Sequence, residues 1–213
     1  MSKTSAIGVF DSGLGGLTAV KELIRFLPNE NIVYFGDTSR VPYGNRSKET
    51  ITRYAMQDAR FLQTKDIKIL IAACGTVSSV AGNLGDEFHM PYTGVVTPTA
   101  YAAANTTKNG KIGVIGTTAT INSSSYKHAI ENVNSSLNVY QKDCPLFVPL
   151  VENGFIDKND IVVRTVVQRY LQPLIDSGVD TLILGCTHYP ILREAIADVM
   201  GDGVALIDSG RET

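Results

Sequence analysis

The chain has 213 residues, enough for one large α/β domain or two of about 100 each. A content of 44% hydrophobic and 19% charged residues is that of an ordinary globular protein with a real core. A formal net charge of −2 leaves no basic excess to draw nucleic acid or an anionic membrane, and runs such as IKILIAAC fall far short of the ~20 apolar residues of a spanning helix.

The amino terminus, MSKTSAIGVFDSG, passes from a short polar lead straight into a strand-like run, without the apolar region or cleavage pattern of an export signal. A cytoplasmic protein is expected. From there, short β-branched or apolar runs alternate with longer amphipathic stretches. Strands are expected at 6–10, 31–35, 68–73, 91–96, 112–116, 137–141, 181–185 and 204–208. Helices are expected at 15–27, 47–64, 76–87, 97–107, 119–133, 160–176 and 190–199. Such alternation is the pattern of βα units feeding a mainly parallel sheet, so the fold class is α/β.

The order of landmarks then repeats. IGVFDSGLGG at 7–16 is echoed by IGVIGTTATI at 112–121, and IVYFGDT at 32–38 by NVYQKDC at 138–144, offsets of 105 and 106. Cys74 in AACGT and Cys186 in LGCTH lie 112 apart, each after an apolar run and before a threonine at most two residues on. Three landmarks recurring in one order point to duplication, hence two similar lobes. Open parallel sheets bind ligands outside the carboxyl ends of their strands, so two facing lobes would oppose Cys74 and Cys186 across a cleft. Inverting a carbon centre needs that arrangement: one group removes a proton from one face while a second delivers a proton to the other.

A thiolate at a helix start has a lowered pKa, which would let each cysteine act as a base near neutrality. Thr76 and Thr187 are placed to cap those helices, or to lend donors to a substrate carboxylate. In DSGLGG at 11–16, Asp11 and Ser12 project into the same mouth, and Asp11 either caps its helix or takes part in the chemistry. That turn lacks the full GxGxxG spacing and the lysine of a P-loop, which counts against nucleotides. The third cysteine, Cys144, reads as buried and inert, and an odd set without CxxC spacing fits neither a disulfide framework nor a zinc ribbon. His188 lies just past Cys186, two residues on in the same turn, whereas His89 and His128 read as surface or packing residues.

DSGLGG at 11–16, YFGDTSRVPYG at 34–44, AACGT at 72–76, LVENG at 150–154 and LGCTHYP at 184–190 together resemble the glutamate racemase family, in the family's order and over nearly the whole chain. The resemblance implies two pseudo-twofold related lobes, each a mainly parallel sheet flanked by helices, with the active site between them. It puts residues 1–97 plus 208–213, the end of the last strand, in one lobe and 98–207 in the other. It implies Cys74 and Cys186 as the two acid/bases, assisted by Asp11 and His188, with Glu152 as a further acid. Asp11, Ser12, Tyr43, Gly44, Gly75, Thr76, Thr187 and His188 match substrate-contacting positions. The implied reaction is cofactor-independent interconversion of L- and D-glutamate for peptidoglycan synthesis, without metal, with glutamate as small-molecule partner and a homodimer as one arrangement. None of the lysines sits in a pyridoxal phosphate setting.

Two departures matter. Gly75 stands where the family usually carries asparagine, removing an amide that would bond substrate at about 1.5–3 kcal/mol. Relatives also continue past the final DSG segment into a helix that packs on the first lobe, so exposed apolar surface is expected there. A racemase of aspartate or another amino acid, and a catalytically impaired amino-acid-binding member, stay open as alternatives.

Overall fold

The computed structural model describes residues 5–82 and 84–212. Eight strands lie among them, at or within about two residues of the expected positions. β1 (Ala6–Asp11), α1 (Leu17–Phe26), β2 (Ile32–Gly36), α2 (Lys48–Gln63), β3 (Ile67–Ala72), α3 (Gly75–Val80), α4 (Leu84–Phe88) and β4 (Tyr92–Gly94) come first. They are followed by α5 (Val96–Thr106), β5 (Lys111–Gly116), α6 (Thr118–Ser123), α7 (Ser125–Val133), β6 (Asn138–Asp143), α8 (Phe147–Glu152), α9 (Ile161–Asp176) and β7 (Thr181–Leu184). A 3-10 helix, Tyr189–Leu192, leads into α10 (Arg193–Met200) and β8 (Ala205–Asp208).

The strands form two parallel four-stranded sheets of identical topology, β2-β1-β3-β4 and β6-β5-β7-β8. The repeat read in the sequence is thus a repeat of fold: β1 with Ile7 and β5 with Ile112 are the equivalent inner strands, and β3 and β7 carry the cysteines at their ends. Both inner strands of each sheet are nearly continuous apolar runs, as strands covered on both faces require; TLIL of β7 is buried at every position. Helices are bound to the sheets by periodic apolar stripes. Val163, Val167, Leu171 and Leu174 of α9 are buried at spacings of four, four and three residues, each contributing about 1.5–3 kcal/mol by leaving water. Asp160 starts that helix by accepting from the Val162 and Val163 amides at 2.7 and 3.3 Å.

Four expectations are corrected. The helix expected at 76–87 is two helices: α3 ends at Ala81, whose φ of −124° leaves the helical region, and Asn83 lies outside the described residues. The one expected at 119–133 breaks at Ser124, which adopts a left-handed φ of 54°. Helix α8 was not expected at all, because six residues containing Pro149 are too few for a helical period to register. Finally, Asp208 pairs with Leu184 at the end of β8, so the last strand belongs wholly to the second sheet. Beyond it the chain turns back to the first lobe, where Gly210 packs so tightly on Thr18 that a Cβ would lie 2.5 Å from its hydroxyl. Among the described residues no helix is long and apolar enough to cross a membrane.

Candidate active site

The carboxyl ends of β1, β3, β5 and β7 meet where the two sheets face each other, and the site is built from the residues that follow them. Cys74 and Cys186 each lie two positions beyond their strand, after Ala72 and Leu184. Both are buried, at 3% and 6% exposure. The Cys74 thiol donates to Ser12 Oγ at 3.5 Å. The Cys186 sulfur faces His188 Nδ1 at 3.9 Å, and His188 Nε2 is bound to Glu152 Oε1 at 2.5 Å. His188 thus links Glu152 to the Cys186 sulfur through its two ring nitrogens. Glu152 reaches in from the end of α8 and remains 46% exposed.

Asp11 is fully buried at the end of β1. Its Oδ2 accepts from the Gly13 and Gly16 amides, both at 3.1 Å, which closes the DSGLGG turn onto the start of α1. Its Oδ1 faces the Thr187 hydroxyl of the other lobe at 3.5 Å. Asp11 therefore both shapes its turn and reaches the cleft. Burial raises its carboxyl above the usual carboxylate range, against the pull of the Gly16 amide and of His188.

The lobes are closed on one another through small residues. A Cβ on Gly75 would lie 2.2 Å from the Gly185 carbonyl oxygen, one on Gly15 2.4 Å from Thr187 Oγ1, and one on Gly44 2.5 Å from Thr117. Thr76 and Thr117 share a hydrogen bond of 3.1 Å across the seam, and the Ala119 amide donates to the Gly44 carbonyl at 3.0 Å. A cavity of about 80 Å³ opens between the lobes beside Pro42, Gly44, Thr117 and Cys144.

Comparison with known proteins places this geometry. Residues 12–213 match the Asp/Glu/Hydantoin racemase family. The glutamate racemase of Geobacter metallireducens is 50% identical over 209 residues, covering 98% of this chain and 77% of that protein. The crystal structure of a glutamate racemase isoform from Bacillus anthracis superposes with a TM-score of 0.95 at 42% identity, covering 100% of this chain and 79% of that one. That of the Francisella tularensis glutamate racemase, in complex with D-glutamate, gives a TM-score of 0.91 at 43% identity, with coverage of 98% and 78%. This chain belongs to the glutamate racemases of that family.

For a racemase, the thiols are set differently from the expectation drawn from helix starts. Burial pushes the Cys74 thiol up to about 12, reinforced by the charge of Asp11 and opposed by the Ser12 hydroxyl and the Val77 and Ser12 amides. Burial also raises the Cys186 thiol, against the His188 amide. Desolvation outweighs the few N–H donors that the six-residue α3 can aim at sulfur. Nor do the two threonines cap helices. Cys74 holds the N-cap position of α3 and His188 that of the 3-10 helix, so the Thr76 and Thr187 hydroxyls are spent on Thr117 and Asp11 instead.

Cys74, Cys186, Asp11, Ser12, Gly75, Thr76, Thr187 and His188 are brought together at the seam of the racemase. Tyr43 is not: its hydroxyl points away, onto Asp37 and Asp58. Gly44 meets the seam through its main chain. Cys144 is fully buried, as read from the sequence. Thr117 was missed, although the repeat held the signal, since 12 plus the offset of 105 lands on it as the counterpart of Ser12. Among the described residues no three His, Cys, Asp or Glu side chains gather as a metal-binding group.

Proposed function

We propose that this racemase interconverts L- and D-glutamate by two-base proton transfer at the α-carbon, without cofactor, and so supplies D-glutamate for peptidoglycan in the bacterial cytoplasm. One observation carries the reading: two cysteines at equivalent strand ends of a duplicated fold, each with its own polar partners, Ser12 and Asp11 for one, His188 and Glu152 for the other. In each direction one sulfur, as thiolate, takes the α-proton, and the opposite thiol gives a proton to the other face. The roles exchange for the reverse reaction. His188, held by Glu152, receives the Cys186 proton in the direction that uses Cys186 as base, leaving an imidazolium paired with a carboxylate. Asp11 serves Cys74. Charge developing on the α-carboxylate is met by main-chain donors at the strand ends, which need no reorganisation during the reaction. Substrate enters when the lobes part, and closure removes the water that would compete for the proton.

In this reading one lobe holds residues 1–97 and the segment after Asp208, the other 98–208, and two chains pair as a homodimer. Sedimentation would decide the last point.

The test is incubation of the purified protein with L- and D-glutamate separately in heavy water, without cofactor. Exchange of the α-proton with loss of optical activity from both enantiomers is expected. Binding without exchange would sink the proposal, as would activity that depends on added pyridoxal phosphate. Cys74→Ala and Cys186→Ala should each abolish loss of optical activity while leaving far-ultraviolet circular dichroism unchanged.

A further inference from the structure

The loop at 37–47, between β2 and α2, brings Gly44 to the seam, yet it has no regular structure to hold it. What holds it is a pair of buried carboxylates bridged by the half-buried Arg40. Asp37, at the end of β2, and Asp58, on α2, are 5% and 1% exposed. Arg40 binds both, Nε to Asp37 Oδ2 at 2.5 Å and Nη2 to Asp58 Oδ1 at 2.7 Å, with its guanidinium 4.3 Å over the Tyr54 ring. The Tyr43 hydroxyl contacts the same Asp37 oxygen and lies 3.0 Å from Asp58 Oδ2, while its ring packs on Tyr54 at 5.4 Å between centroids. The loop is thus pinned to both elements that bracket it.

We propose that Asp37, Arg40 and Asp58 are positioning residues of the racemase site: they clamp Tyr43 so that the adjacent Gly44 main chain meets the second lobe in one register. Gly44 accepts from the Ala119 amide and abuts Thr117, which in turn bonds Thr76, two residues from Cys74. The clamp therefore ends within three contacts of a reacting thiol. Two carboxylates around one guanidinium and one phenol are a poor way to gain stability, because desolvation offsets the attraction. They are a good way to fix direction, since each bond restrains an angle that apolar packing would leave free. The phenol has a single hydrogen for two carboxylates, so its second contact is satisfied only when one of them carries a proton. The charged groups that act on the Tyr43 hydroxyl are the two carboxylates, Asp37 and Asp58, with Arg40 beside them.

This inference rests on the racemase reading, but its test separates the two. Amide hydrogen exchange at residues 41–46 and the KM and kcat for glutamate are measured for Asp58→Ala, Asp58→Asn and Tyr43→Phe. In Asp58→Ala, exchange should quicken about tenfold and KM rise about tenfold, with kcat within about threefold of the parent. Asp58→Asn, which keeps an acceptor for Arg40, should recover most of both. Tyr43→Phe preserves the ring packing and serves if the alanine variant does not fold. Parent-like exchange and KM with only a lowered melting temperature overturn the clamp. If the parent itself does not turn glutamate over, the racemase reading falls and exchange at 41–46 alone decides the clamp.

Discussion

At the scale of single residues, the active site is one in which burial dominates charge. Both thiols are raised, so in the substrate-free protein they rest protonated, and neither is a ready nucleophile. Alkylation by iodoacetamide should accordingly be slow at pH 7 and quicken steeply toward the Cys74 value near 12, which peptide mass spectrometry would follow residue by residue. Rapid labelling at neutral pH would mean that a base has already taken a proton. The Glu152–His188 pair gives a second prediction. Glu152→Gln removes the carboxylate that fixes the imidazole and stabilises its cation, and should lower kcat/KM by about 10²-fold. Because the two enantiomers are equal in free energy, the loss must be the same in both directions, a check that polarimetry from each side provides.

At the scale of elements, the strands were legible and the short helices were not. Short, largely apolar runs bounded by turns mark the inner parallel strands β1, β3, β5 and β7, whereas the edge strands β4 and β6 are shorter or more polar and are read from their place in the βα alternation. Helix α8 escaped notice, and with it the reason why Glu152 reaches His188: its position follows from where α8 ends, not from any local pattern. Helix α2 carries the prediction for this scale. Burial, with Asp37 beside it, pushes Asp58 up to about 6, although Tyr43 and Arg40 pull the other way. An unfolded aspartate titrates near 3.9. The folded protein thus holds this proton more tightly, so the contribution is fully present below about pH 4 and is lost as pH rises through about 6. Asp58→Asn has no such proton to lose. Urea midpoints at a series of pH values should show the parent weakening relative to Asp58→Asn between those limits; parallel curves would contradict it.

At the scale of the whole molecule, the decisive feature is closeness of the two lobes. Gly75 was read as a missing amide. The fold adds a second meaning, because its Cα lies against the Gly185 carbonyl and any Cβ there would strike backbone. Gly75→Ala should therefore keep the lobes from closing fully, with each lobe's core untouched. A loss of at least about tenfold in kcat/KM is expected with little change in melting temperature, since overpacking of one methyl costs about 1–3 kcal/mol only in the closed state. Steady-state kinetics beside calorimetry would check the pair of outcomes; an equal fall in stability would place the clash inside a lobe.

The sequence by itself determined the fold class, the duplication and the identity of the two thiols, because all three are written in local periodicity and in spacing along the chain. It was silent on which groups share the cleft. That Thr117 bonds Thr76, that Tyr43 turns from the seam to Asp37 and Asp58, and that burial lifts the thiols despite their helix starts are all consequences of bringing distant segments together. Desolvation and cross-lobe contact are properties of the packed molecule, so only the tertiary structure could decide them.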